Sequence, residues 1–153
     1  MGRWHFSAKD LDPLTTAIAS GRDLRISFKH AVEVCNSIRG LPLKKAKELL
    51  EDVINMRRPI PFRRFHKKVP HHKGGGKWPY ARWPVKAAKA ILEVLENAEA
   101  NAEYKGLDTE RLWVVHAAAH KGGKIEKYIY RAFGRRTPYF QYLVHVEVAL
   151  EER

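Results

Sequence analysis

Acidic residues, cysteine and long apolar runs are all scarce in this chain of 153 residues. Its 17 Asp and Glu stand against 29 Lys and Arg, giving a formal net charge of +12 and a pI near 10.0. An imbalance of that size speaks to partners rather than to fold, and it points to nucleic acid or an anionic membrane surface. Cys35 is the only cysteine, which excludes an intrachain disulfide framework and fits a reducing cytosol. No run of about 18 apolar residues occurs, so no transmembrane helix is expected. The N-terminal MGRWHFSAKDLDPL lacks the apolar core and small-residue cleavage site of a signal peptide.

Catalytic signatures are missing too. Gly74-Gly75-Gly76-Lys77 has Trp78-Pro79 after the lysine where a phosphate loop needs Ser or Thr and then a helix, so nucleotide hydrolysis is rejected. His66, His71 and His72 have no cysteine or acid near them and match no zinc spacing, and a cation would be repelled from so basic a stretch. No Ser or Cys stands in an activating context. No enzyme activity, metal, cofactor or small-molecule substrate is expected. A histidine-dependent nuclease using His71 and His72 is the enzymatic alternative.

With 44% hydrophobic residues the chain can build an ordinary core, and its length suits one domain spanning 1–153. A polar lead-in over 1–13, with Arg3, Trp4 and His5, is expected to be mobile unless anchored. Thr15–Ser20 predicts a short strand, broken at Gly21 and resumed around Leu24–Ile26. Ser27 is the predicted N-cap of a helix with Ala31, Val34, Cys35 and Ile38 on one face, stopped at Gly40. Pro42 opens a second helix whose stripe is Ala46, Leu49, Leu50 and Val53. A third, after Pro84, carries Ala88, Ile91, Leu92, Leu95, Ala98 and Ala102, with Glu93, Glu96, Glu99 and Glu103 on a solvated outer face.

Between the second and third helices, residues 57–83 hold nine Lys or Arg and no acid. Prolines, three consecutive glycines and interleaved Phe62, Phe65, Trp78, Tyr80 and Trp83 exclude regular structure over most of it. A loop of that length inside a domain is usually functional or disordered, and its aromatics argue against simple disorder. Lys and Arg can neutralise phosphates while rings stack on unpaired bases. The same rings lie among prolines and glycines, not on one face of an amphipathic helix, so a membrane surface is the weaker partner.

The C-terminal stretch has two apolar arms, Leu112–His120 and Tyr142–Leu150, around a middle with six cations and one acid. In the second arm Val144, Val146, Val148 and Leu150 alternate with His145 and Glu147, the period of a half-buried strand. The first is apolar throughout, which predicts the more central strand. If the chain reverses near Phe133-Gly134, each leg of about 20 residues could extend ~65 Å at ~3.4 Å per residue. A body of about 110 residues has a radius of gyration of only about 13 Å. The hairpin over 111–150 must therefore overhang its body, and a basic two-stranded ribbon needs an outside partner, here a polyanion.

Arg131-Ala132-Phe133-Gly134-Arg135-Arg136, followed by His145-Val146-Glu147-Val148-Ala149-Leu150, resembles the C-terminal signature of large-subunit ribosomal protein family twenty-two. Further matches are Leu24-Arg25, Ile38-Arg39-Gly40-Leu41, Pro61-Phe62-Arg63-Arg64, Asn97-Ala98-Glu99-x-Asn101-Ala102 and Gly106-Leu107-Asp108. The long basic loop is similar to the archaeal and eukaryotic branch. The resemblance implies an α+β fold, three helices packed on a small three-stranded antiparallel sheet, with a long protruding β-hairpin and a basic irregular loop. It implies a cytoplasmic structural constituent of the large ribosomal subunit that binds its rRNA, supports assembly, touches neighbouring ribosomal proteins and lines the nascent-peptide exit tunnel. Candidate rRNA contacts are Arg22, Arg25, Arg57, Arg58, Arg63, Arg64, Lys67, Lys68, Lys73, Lys77, Trp78, Arg82, Lys121, Lys124, Lys127, Arg131, Arg135 and Arg136. By the same resemblance Arg131, Ala132, Phe133, Gly134, Arg135 and Arg136 form the tunnel-facing tip, against the nascent polypeptide. The alternative is a free-standing basic RNA- or DNA-binding protein, a chaperone or regulator.

Overall fold

The computed structural model describes residues 5–74 and 76–153. Arg3 and Trp4 of the lead-in and Gly75 of the glycine run lie outside them. The elements run β1 (Thr16–Leu24), α1 (Phe28–Ile38), α2 (Leu43–Ile54), β2 (Ile60–Pro61), β3 (Ala81–Arg82), α3 (Val85–Tyr104), β4 (Leu112–Ile125), β5 (Tyr128–Tyr130), β6 (Arg136–Pro138) and β7 (Gln141–Glu152). The α+β expectation holds: three helices pack on an antiparallel sheet of order β1-β7-β4.

The helical stripes meet the sheet as their spacing requires. Ala31, Val34, Cys35 and Ile38 of α1, Leu50 and Val53 of α2, and Ile91, Leu95 and Ala98 of α3 are all buried, together with Val144, Val146, Val148 and Leu150. Each large aliphatic side chain so removed from water contributes about 1.5–3 kcal/mol. Ser27 holds the N-cap position of α1, but its side chain caps nothing.

Two strand expectations are corrected. β1 does not break at Gly21; it runs through it, paired with Val146 of β7, and a Cβ there would come within 2.7 Å of the Val94 side chain of α3. The irregularity falls after Gly21, where the register to β7 shifts and Asp23 has φ 52°. The central strand is β7, not the more apolar β4. β4 is apolar because its outer edge is covered: Gly40 N–H donates to Val114 O at 2.7 Å, Val114 N–H donates to Leu41 O at 2.9 Å, and Arg39 donates to Ala117 O. The far edge is treated alike, since Asn101 Nδ2 donates to Ile18 O at 3.0 Å and Lys105 Nζ to Thr16 O at 2.7 Å.

The sheet face away from the helices is anchored at Glu147, which is only 1% exposed. Ser7 gives that carboxylate both its backbone N–H, at 3.0 Å, and its hydroxyl, while His120 Nε2 bonds it from β4. His116 Nε2 lies 3.1 Å from Ser7 Oγ. The lead-in is therefore tied down at Ser7. His120 faces His145 directly across the β4–β7 pair, and His145 Nδ1 accepts the Asp23 N–H at 3.1 Å, so both are hydrogen-bonded strand histidines.

Candidate nucleic-acid interface

The hairpin arm begins where the helices end. β4 and β7 stay paired out to Ile125 and Gln141, with a register shift between Lys121 and Lys124, and β5 then pairs with β6 through Tyr128↔Pro138 and Tyr130↔Arg136. Every residue from 126 to 139 is exposed. The reversal is at the expected place: Arg131 N–H donates to Arg135 O at 2.7 Å around Ala132–Gly134. Phe133 and Gly134 are both left-handed, at φ 57° and 66°. Such paired left-handed residues suit the right-handed twist of a hairpin, but in Phe133 they cost strain that glycine would avoid.

Rings and cations alternate along the arm. Lys121 Nζ lies 3.6 Å from the ring centre of Tyr142, Lys124 Nζ 4.4 Å from Phe140, and the Arg136 guanidinium 4.7 Å from Tyr128. Each contact contributes about 0.5–1 kcal/mol at an exposed site, enough to order a lysine along the ribbon and leave its charge in solvent. Lys124 also pairs with the lone acid Glu126 at 3.0 Å, and Lys127 donates to Gln141 at 3.2 Å. Arg131 and Arg135 stand at the tip beside Phe133, which is 97% exposed.

The basic loop lacks long elements, as expected, yet it is pinned. Glu33, on α1 and fully buried, accepts the backbone N–H groups of Arg63 (3.1 Å), Arg64 (2.8 Å) and Phe65 (2.7 Å). β2 pairs with β3 across its base, and His71 bridges Tyr80. The loop's rings mostly hold the loop itself. Phe62 is core, His66 and His71 pack against Tyr80, His72 packs edge-on against Trp83, and the Trp78 indole N–H donates to Phe62 O. Trp78, the loop aromatic picked out as a contact, is 37% exposed.

Fixing the loop sorts its cations into two clefts. Arg58, Arg63, Lys77 and Trp78 line a cleft of about 930 Å³ against α1 and α2, shared with Glu48 and Asp52. Arg64, Lys67, Lys68 and Arg82 line a second cleft of about 400 Å³ at the start of α1. Arg57 and Lys73 are exposed outside both, and Arg22 and Arg25 are exposed at the end of β1 and just beyond it. Lys29 and His30, which also line the second cleft, escaped the sequence reading because they look like ordinary polar positions of a helix's first turn. Burial, and then the charge of Arg82, pushes the His30 pKa down, so its ring is neutral at neutral pH.

Two comparisons bear on this arrangement. The family model for ribosomal protein L22p/L17e matches residues 19–151. The chain belongs to that family. It is 54% identical over 153 residues to the large ribosomal subunit protein uL22 of Archaeoglobus fulgidus, covering 100% of this chain and 99% of the relative. It is 55% identical to the uL22 of Methanocaldococcus jannaschii over 152 residues, covering 99% and 97%, and 55% identical to that of Methanopyrus kandleri, covering 98% and 96%. These L22p/L17e relatives are archaeal, in accord with the length of the basic loop. The family is one of structural ribosomal proteins rather than enzymes. Among the described residues no helix is long and apolar enough to cross a membrane.

Proposed function

We propose that the chain works as one domain within the large ribosomal subunit in the cytoplasm, binding large-subunit rRNA through the loop 57–83 and the arm of the hairpin 111–150. Its helical body meets neighbouring ribosomal proteins, and binding supports assembly of the subunit. The arm passes through folded RNA, and its tip, Arg131 to Arg136, lines the nascent-peptide exit tunnel. The observation that carries this reading is the unbroken exposure of residues 126–139 on a ribbon whose cations ride on its own rings. Such a ribbon is marginal in water and gains its support from phosphates on both sides.

Sedimentation of cell extract tests the first part. The chain should travel with large subunits at about one copy each and stay through a moderate salt wash, whereas recovery in the ribosome-free fraction would favour a free-standing RNA- or DNA-binding protein. For the tip, a photo-reactive group at position 133 should crosslink to nascent chains in stalled ribosomes. Adducts to RNA alone would remove the tunnel assignment.

A further inference from the structure

The smaller cleft differs in kind from the rest of the basic surface. It is bordered by the first turn of α1, the segment 62–69 and Arg82, and among the described residues no carboxylate lines it. Five cations do: Lys29, Arg64, Lys67, Lys68 and Arg82. Its inner wall is apolar, formed by buried Phe62 and half-buried Phe65. Like charges this dense repel one another, and an anion arriving among them would relieve that repulsion. The first turn of α1 adds to the same field, having neither an acidic residue nor a side-chain cap.

The walls favour a nucleotide over a bare phosphate. Lys29 Nζ and the Arg64 guanidinium lie 5.8 and 5.5 Å from the centre of the Phe65 ring, loose contacts that an arriving base could replace by stacking. His30, edge-on to Phe62 at 5.3 Å, offers a neutral imidazole with one donor and one acceptor to a base edge. A volume of about 400 Å³ is ligand-sized and admits a single extruded group, not a duplex.

We propose that this cleft receives one unpaired nucleotide of large-subunit RNA, its base against Phe65 and His30 and its phosphate among Arg64, Lys67, Lys68 and Arg82. The inference rests on the rRNA-binding reading above and adds a single-nucleotide site to it. Unpaired bases splayed from RNA are the elements that aromatic and guanidinium surfaces recognise.

The full chain bound to naked large-subunit rRNA provides the test, by chemical probing of base and 2′-hydroxyl reactivity with and without protein. One unpaired nucleotide should be protected and should photo-crosslink to the segment 62–69. Phe65→Ala should remove that protection and weaken binding about tenfold, leaving the arm's footprint intact. Phe65→Trp should keep the loop packed and restore the protection. Wild-type binding in which no unpaired base changes reactivity, or crosslinks from 62–69 only to paired regions, would overturn the site while leaving rRNA binding in place. So would protection that persists in Phe65→Ala. Absence of any wild-type footprint would overturn the rRNA-binding reading itself.

Discussion

The carboxylate of Glu33 holds the backbone of Arg64 at 2.8 Å, and on either side of that bond it also holds the backbone of Arg63 and Phe65. One buried acid thus fixes three consecutive residues of a loop that carries no acid of its own. Its negative charge reaches the loop through amides, leaving the arginine side chains in solvent.

That arrangement separates shape from charge. Glu33→Ala should destabilise the fold by about 1–3 kcal/mol, since three amides lose a buried partner, and hydrogen exchange at 63–65 should rise to the rate of an open loop. It also raises the net charge by one from +12. If attraction alone governed RNA binding, affinity would increase. We expect it to fall, and a titration against large-subunit rRNA decides between the two.

Acid should loosen the N-terminal segment. Burial pushes the Glu147 pKa up, but the Ser7 hydroxyl, the Ser7 N–H and His120 outweigh it and hold the carboxyl below its usual range. A depressed carboxylate contributes stability above its unfolded value of about 4.3, and this is lost as pH falls toward the folded value. Burial pushes the His116 pKa down against the pull of Glu147, so protonating it below its usual value of about 6.5 also disfavours the fold. Melting temperature should decline below pH about 6.5 as His116 is protonated and again below about 4.3 as Glu147 is, and in Glu147→Gln the second decline should be shallower. An unchanged slope in that variant would disprove the link.

The Cys35 thiol should be inert in the native protein. Burial pushes its pKa up to about 12 despite the opposing charge of Arg39. Labelling by a thiol reagent at pH 8 should therefore require opening of the core and accelerate with urea in step with unfolding. Labelling at the rate of a free peptide thiol would contradict this.

Salt dependence measures the arm. Replacing Lys121, Lys124 and Lys127 with Ala should reduce the slope of log affinity against log salt by about 2–3, at roughly 0.7–0.9 per phosphate contact. The body should keep its melting temperature, since all three are exposed. An unaltered slope would mean that these lysines meet no phosphate.

Patterns local in sequence were legible, and long-range closures were not. The reversal at Phe133-Gly134, the stripes of α1, α2 and α3 and the alternation of β7 follow from period and turn chemistry alone. The place of β4 did not, because an apolar strand covered by a short helix linker reads like one flanked by strands; only the bonds of Val114 to Gly40 and Leu41 tell them apart. Ser7 on Glu147, 140 residues apart, left no trace in spacing. The five loop aromatics were noticed and read as base-stackers, yet most close the loop on itself, a use that composition cannot distinguish. Glu33 lies off the Ala31, Val34, Cys35, Ile38 stripe of α1, where period alone places a solvated residue. A lone acid among the buried residues of a helix that precedes an acid-free basic loop is the signal that could have found it.

Both borders of the β1-β7-β4 sheet are occupied, one by Asn101 and Lys105 and the other by the stretch around Gly40. The body therefore offers newly made copies little purchase for strand addition. Among the described residues the outer ribbon of β5 and β6 pairs only with itself, and Tyr130 on it is 85% exposed. Between synthesis and incorporation, the unpaired edges of that limb are where aggregation would start.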